Sequence, residues 1–448
     1  MRIYDCGLTV YNYAHIGNLA RYLMSDLLRR VLVYFGYTPY QVQNVTDVGH
    51  LTQDDIDQGE DKIMIQAAKE GLSPQAIANK YLAAFLANLD ELRILRPHEM
   101  PKATEHVPEM IAMIKRLEKR GYTYMIDDGV YFDVTKFPNY GKLSGNSLAD
   151  LAVGARVEVN PQKHHPADFS LWKKVGKEHL MKWDSPWGVG CPGWHIECSA
   201  MAQKYLGNTL DLHSGGEDNI FPHHESEIAQ AEGANDGVQF CHHWLHRRHL
   251  LVDGKKMAKR ACTAYTLKDL AEKGYSPLTF RFLVLSAHYR KQLNFTLDSL
   301  QGAQAGIDRL NECIQALLKV TKKGRATISK QLEQARQAFK QALANDLNTP
   351  EAVAVVFSLV KEVNRQLAED ALPKTDAKLL LNFLRQEVDS IFAVMSQDEQ
   401  PTKKQNPAIK RLMAERVAAR AAKDWAKADQ LRAELQQLGV DVRDGKIN

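Results

Sequence analysis

The sequence predicts an α/β fold: a parallel-sheet domain interrupted by an insertion, then an α-helical bundle and a small C-terminal domain. Two observations carry this expectation. Residues 1–47 read as strand, helix, strand, and from about Ser276 onward the pattern changes to long helical periodicity with few strands. A strand–helix–strand unit of that length is the crossover that builds a parallel sheet, whose ligands gather at the carboxyl ends of the strands.

The opening MRIYDCGLTVYNY reads as a strand and loop. A helix is expected to start at Ala14-His15-Ile16-Gly17-Asn18 and to end at Gly36, since Leu19, Leu23, Leu27, Val31 and Phe35 recur at helical spacing. TPYQVQNVTDV then alternates and is β-branched, so it reads as a strand ending at Thr46-Asp47. A block from about 96 to 190, with strand candidates GVYFDVTKF and GARVEVN, looks inserted into the sheet domain. The sheet resumes at Leu210-Asp211-Leu212-His213, and residues 1–250 form its domain. A basic loop region covers 251–275, and a helical bundle 276–398 includes SLQGAQAGIDRLNECIQALLKV and SKQLEQARQAFKQALAND, with apolar residues three and four apart. SQDEQPTKKQNP is a polar, proline-bearing linker. The helical hairpin of the last domain, 405–448, carries Lys410, Arg411, Arg416, Arg420, Lys423, Lys427 and Arg432. These cations fit a solvated face and an RNA contact equally well.

Composition narrows the class. The chain has 448 residues, of which 44% are hydrophobic, enough for about three domains with real cores. No apolar run approaches the ~18 residues of a membrane span, and the first residues lack a secretory layout, so a cytoplasmic protein with no membrane partner is expected. Six scattered cysteines do not make a disulfide framework and are either buried or chemical. A net charge of +4 neither demands nor excludes nucleic acid.

Three stretches carry chemistry. In FPHHESE, His223 and Glu227 are four apart and share a face if helical, whereas His224 and Glu225 point elsewhere. Taken alone the segment reads first as a solvated helix start and second as half a metal site, whose other ligands must come from elsewhere. His15-Ile16-Gly17-Asn18 at a helix N-terminus offers backbone N–H groups and a close approach over glycine, which suits a nucleotide phosphate or is an ordinary helix start. Asp253-Gly254-Lys255-Lys256-Met257-Ala258-Lys259-Arg260 is a basic loop that could close over a triphosphate, or a plain turn.

Together HIGN and KKMAKR resemble the HIGH and KMSKS signatures of class I aminoacyl-tRNA synthetases. CGLTVYNYAHIGN, NVTDV, YGKLSG, GARVEV, HPADFSLWK, CPGWHIECSAM and GGEDNIFPHHESEIAQ, with the C-terminal hairpin, sharpen the resemblance to the cysteinyl-tRNA synthetases, in family order over nearly the whole chain. The resemblance implies a class I Rossmann-like catalytic domain with a connective insertion, a tRNA-binding bundle and an anticodon-reading C-terminal domain. It implies one zinc ion on Cys6, Cys198, His223 and Glu227, as a device that selects the substrate thiol. It places His15, Gly17, Asn18, Gly216, Asp218 and Lys259 at ATP, Asp218 on the ribose, and Gly7, Thr46 and Trp194 beside cysteine. His15, Asn18, Lys256 and Lys259 would position the reactants and stabilise charge. The implied reactants are L-cysteine, ATP with Mg2+, and tRNA(Cys), acted on by a monomeric chain.

This sequence departs from the family pattern in places. Leu8 stands where proline usually follows the CG pair, KMSKS has become Lys256 to Arg260 with Ala258 in the middle, ACTAYTL lacks the usual LGN, and the residues that usually precede the first strand are missing. Two alternatives therefore stay open. One is a cysteine ligase of the mycothiol-pathway type that uses a small amine, against which the long helical tail argues. The other is a paralogue that binds tRNA or cysteine without aminoacylation.

Overall fold

In the computed structural model, the described residues are 1–48, 51–53, 58–153, 160–256, 264–396, 411, 412, 415, 416, 419 and 424–437. The chain divides into two compact units. The first is Met1–Gln304 with Gln337–Val355 and Ser390–Phe392; the second is Ala305–Arg336, Val356–Asp389 and Ala393–Asn448.

The first unit begins with the expected crossover: β1 (Arg2–Thr9), α1 (Ile16–Tyr34) and β2 (Tyr40–Thr46). The central sheet is completed much later in the chain, by β3 (Leu210–Gly216) and β4 (Cys241–Arg247). All its pairings are parallel, in the order β4-β3-β1-β2. The carboxyl ends of four strands therefore open on one side, which is where a ligand can reach several strands at once.

Helix α1 starts at Ile16 rather than Ala14, because the side chains of His15 and Asn18 close a reciprocal cap. Each accepts the other's backbone N–H at 3.2 Å. Leu19, Leu23, Leu27 and Val31 are buried as the spacing predicts. Phe35 is not: the helix ends at Tyr34, and Phe35, beyond the last turn, is exposed.

Between the two halves of the sheet, Thr123–Ile126, Gly129–Phe132, Phe169–Lys174 and Gly190–Pro192 form a second, antiparallel sheet. GVYFDVTKF is strand only as far as Phe132, after which Val134–Lys136 coils into a short helix. GARVEVN lies mostly outside the described residues. Phe132, Phe169 and Trp172 of this sheet share one buried cluster with Tyr4 and Cys6 of β1, so the insertion adds to the core beneath the site. Leu250–Val252, Lys255–Lys256 and Leu293–Phe295 make a small third sheet.

The second unit is helical. Asp376 accepts the backbone N–H groups of Thr327 and Ile328 and the Thr327 hydroxyl, and Arg336 pairs with Glu387 at 2.9 Å. Leu412, Ala419, Ala428, Leu431 and Leu435 form a separate small core around the helix Trp425–Gln437. Most of the linker and part of the basic hairpin, including Lys410, Arg420 and Lys423, lie outside the described residues. Among the described residues no helix is long and apolar enough to cross a membrane.

A buried ion pair fixes α1 within the first unit. Asp26 accepts Arg281 Nη2 at 2.6 Å, Arg30 Nε at 2.8 Å and the Leu95 N–H at 2.9 Å. Arg281 also donates to the carbonyls of Leu92 and Phe392. Because both charged groups are fully buried, removing one strands the other. Asp26→Ala should cost about 3–5 kcal/mol of stability, read as a lowered urea midpoint; a change below about 1 kcal/mol would show that the carbonyls alone satisfy Arg281.

Candidate functional site

Cys6 comes from β1 and His213 from β3. Cys198 lies on α2 (Trp194–Leu206), and Glu227 lies on α3 (Glu225–Ala234). FPHHESE is not one helix: Phe221 has extended backbone, residues 220–224 form a wide turn, and α3 begins only at Glu225. The expected pairing nevertheless holds, with His223 Nε2 3.1 Å from Glu227 Oε1.

The expectation that His224 points elsewhere is wrong. The wide turn swings it inward, so that Nε2 lies 3.1 Å from Cys6 Sγ and 4.0 Å from Glu227 Oε1. His213 Nε2 is 2.9 Å from Glu227 Oε2. Two overlapping sets thus have ligand atoms within 4.8 Å of one another: Cys6, Cys198, His223 and Glu227, and Cys6, His213, His224 and Glu227. All six side chains are buried. The first set is the one predicted; His213 and His224 were missed as neighbours, because their approach depends on the sheet and the turn.

The electrostatics are those of a cluster closed to water. Burial pushes the Cys198 thiol well above its ordinary value, with the neighbouring Cys6 adding to the effect, and burial likewise raises Cys6. Burial, then His213 and His246, drive His224 far down, so its imidazole is neutral. These are thiols and imidazoles that a cation would hold in their ligating forms.

Beside this cluster lies a cavity of about 430 Å³ at the carboxyl ends of β1, β3 and β4. Its lining includes Gly7, His15, Gly17, Asn18, Trp194, Gly216 and Asp218. Trp194 also stacks on His223, with ring centroids 4.1 Å apart. Gly7 sits at an irregularity in the β1–β2 register, and a Cβ there would fall 1.5 Å from the Asn44 carbonyl oxygen; only glycine fits. Thr46 does not line the cavity. It is buried, and its hydroxyl accepts from Asn44 Nδ2 at 3.0 Å. Lys256 is described only as backbone in the small third sheet, and Lys259 lies outside the described residues. Arg21, Lys62, Arg247 and Arg248 line the cavity without having been expected there.

Comparison with known proteins matches three families along the chain: the tRNA synthetases class I (C) catalytic domain over residues 1–305, the DALR domain over 338–395, and the cysteinyl-tRNA ligase anticodon binding domain over 404–447. A cysteine–tRNA ligase of Thermus thermophilus is 42% identical over 99% of this chain and 93% of its own length. The chain belongs to the cysteine–tRNA ligase family.

A family member from Chlorobium luteolum is 41% identical over 99% of this chain and 92% of its own, and one from Chlamydia pneumoniae 41% over 100% and 92%. Among solved structures, Mycobacterium tuberculosis methionyl-tRNA synthetase with methionyl-adenylate has a TM-score of 0.62 at 13% identity, covering 88% of this chain and 91% of that one. That likeness shows the class I fold. The resemblance drawn from the sequence motifs and the α/β class are both borne out.

Three further cysteines among the described residues, Cys191, Cys241 and Cys313, are buried and belong to neither ligand set. Burial pushes Cys191, Cys241 and Cys313 each up to about 12, so at pH 8 they keep their protons and are poor nucleophiles. Native protein treated with iodoacetamide at pH 8 should leave these three unlabelled by mass spectrometry, while the urea-denatured chain is alkylated at all of them. Rapid native labelling of any of the three would mean that its burial is transient.

Proposed function

We propose that this chain activates L-cysteine with ATP and transfers the cysteinyl group to the 3′-terminal adenosine of tRNA(Cys). The observation that carries the reading is Trp194, which lines the cavity and also stacks on a histidine of the buried thiol cluster. It joins a place suited to a nucleotide to a place suited to a thiol.

Cys6, Cys198, His223 and Glu227 would hold one zinc ion. The donor set of two thiolates, imidazole and carboxylate suits it, and the four ligand atoms lie within 4.8 Å of one another, with His223 Nε2 3.1 Å and Cys6 Sγ 3.7 Å from Glu227 Oε1. When bound, zinc supplies a soft Lewis acid for the thiolate of cysteine, a distinction from serine that pocket shape alone draws poorly. Gly7 and Trp194 bound the amino-acid end. Thr46 is buried outside the cavity lining, where its hydrogen bond with Asn44 stiffens the end of β2.

In the first step a carboxylate oxygen of cysteine bonds to the α-phosphorus while the bond to the bridging oxygen breaks and pyrophosphate leaves. In the second, a terminal ribose hydroxyl of tRNA bonds to the cysteinyl carbonyl carbon, its proton leaves, and AMP departs. Neither step needs a protein nucleophile. The α1 N-terminus with His15, Gly17 and Asn18 holds phosphate, its first turn kept in place by the cap that His15 Nδ1 makes with the Asn18 N–H. Gly216 allows close approach and Asp218 accepts from the ribose. Lys256 and Lys259, with Mg2+ brought by ATP, balance charge on the leaving pyrophosphate. Residues 276–398 and 405–448 would bind the tRNA, the latter at its anticodon. The enzyme would work in the cytoplasm as a monomer.

Cysteine-dependent exchange of pyrophosphate into ATP, followed by tRNA charging, tests the reading; a zinc-loaded protein that does neither is a non-catalytic paralogue. Cys198→Ser should lower bound zinc below one per chain and weaken cysteine more than about tenfold, with ATP affinity within about twofold. Stoichiometric zinc in that variant would remove Cys198 from the ligand set. Deleting residues 405–448 should raise the KM for tRNA(Cys) and flatten its salt dependence while pyrophosphate exchange persists; unchanged charging kinetics would leave the basic hairpin as a solvated face.

A further inference from the structure

Arg247 ends β4, in register with Gly216 at the end of β3. It lines the cavity, is 5% exposed, and its Nε and Nη2 are buried without a hydrogen-bond partner among the described residues. The other arginines of the cavity are engaged. Arg248 Nη1 donates to Glu217 Oε2 at 2.7 Å, and Arg21 donates to the carbonyl oxygens of Cys6 and Gly7. For Arg247, burial alone pulls the guanidinium down, to about 10, with no carboxylate offsetting it. A desolvated cation without a counter-charge is costly, and that cost is recovered when a ligand brings the anion.

We infer that Arg247 is a nucleotide-binding residue whose guanidinium takes the phosphate next to the ribose, the one common to ATP, AMP and the aminoacyl-adenylate. The inference rests on the function proposed above, which puts the nucleoside against Gly216 and Asp218. The phosphate attached to that ribose is then the anion nearest the end of β4. The planar fork of arginine matches two phosphate oxygens, and the α1 N-terminus lines the same cavity, so a phosphate there meets a cation and backbone donors together. Motif reading passes over Arg247 because HRRH resembles any basic strand end.

The test is calorimetric binding of adenosine, AMP and ATP to the full-length, zinc-loaded protein and to Arg247→Gln and Arg247→Lys. Wild type should bind AMP more tightly than adenosine. Arg247→Gln should lose at least about tenfold on AMP and ATP with adenosine within about twofold, and Arg247→Lys, a point charge without the fork, should fall between. The melting temperature of Arg247→Gln without nucleotide should match or exceed that of wild type, since no internal partner is lost. AMP affinity unchanged in Arg247→Gln, or equal losses for AMP and adenosine, would overturn the assignment. If wild type exchanges pyrophosphate while Arg247→Gln keeps its AMP affinity, this inference alone falls; if wild type binds neither AMP nor ATP, the proposed function falls with it.

Discussion

The Glu227 carboxylate is the point on which the site is built. It is fully buried, 2.9 Å from His213 Nε2, 3.1 Å from His223 Nε2 and 3.7 Å from Cys6 Sγ. A carboxylate out of water needs partners, and here they come from β1, β3 and the turn before α3. Those elements cannot move apart without exposing one another's polar groups. Second contacts extend the constraint outward, since His195 Nδ1 meets His223 Nδ1 at 2.8 Å and His224 Nδ1 meets His246 Nε2 at 2.8 Å. His223 and His224 are each held by their second nitrogen, which fixes the ring and the nitrogen offered inward.

The parallel sheet explains why the thiol cluster and the nucleotide cavity are neighbours. Each crossover returns the chain to the same edge, so the ends of β1, β3 and β4 converge although Thr9 and Arg247 are 238 positions apart. Helix α1 then decides where a phosphate can sit. Its first turn is closed by side chains of the very motif that resembles the family signature, and its middle is pinned by the Asp26–Arg281 pair. Rigidity at both places lets the cavity stay formed while carrying a cation, Arg247, whose Nε and Nη2 find no partner among the described residues.

The class I fold and the candidate site were legible because their signals are local or ordered. The apolar stripe of α1 buries Leu19 to Val31 as read, and β1, β2 and β3 stand where the sequence reading put them, β2 from its alternation. His223 and Glu227 meet because a four-residue offset survives even a broken helix. Family order in the motifs then linked Cys6 and Cys198 to them, a link that no spacing within this chain supplies.

What the sequence by itself determined is therefore the fold class, the β1–α1–β2 crossover and a list of residues that could ligate or bind, but not β4 or the small third sheet. Tertiary structure decided which of them share a site. His224 joins the cluster through the wide turn at 220–224, His213 enters from β3, and Thr46, bonded to Asn44, is buried and does not line the cavity. Arg247 turns from one cation among many into a buried charge without a counter-ion among the described residues. The physical reason is common to all four: periodicity fixes which face a residue occupies, but desolvation and pairing depend on which other chain segments cover that face, and that is settled only when the sheet has closed.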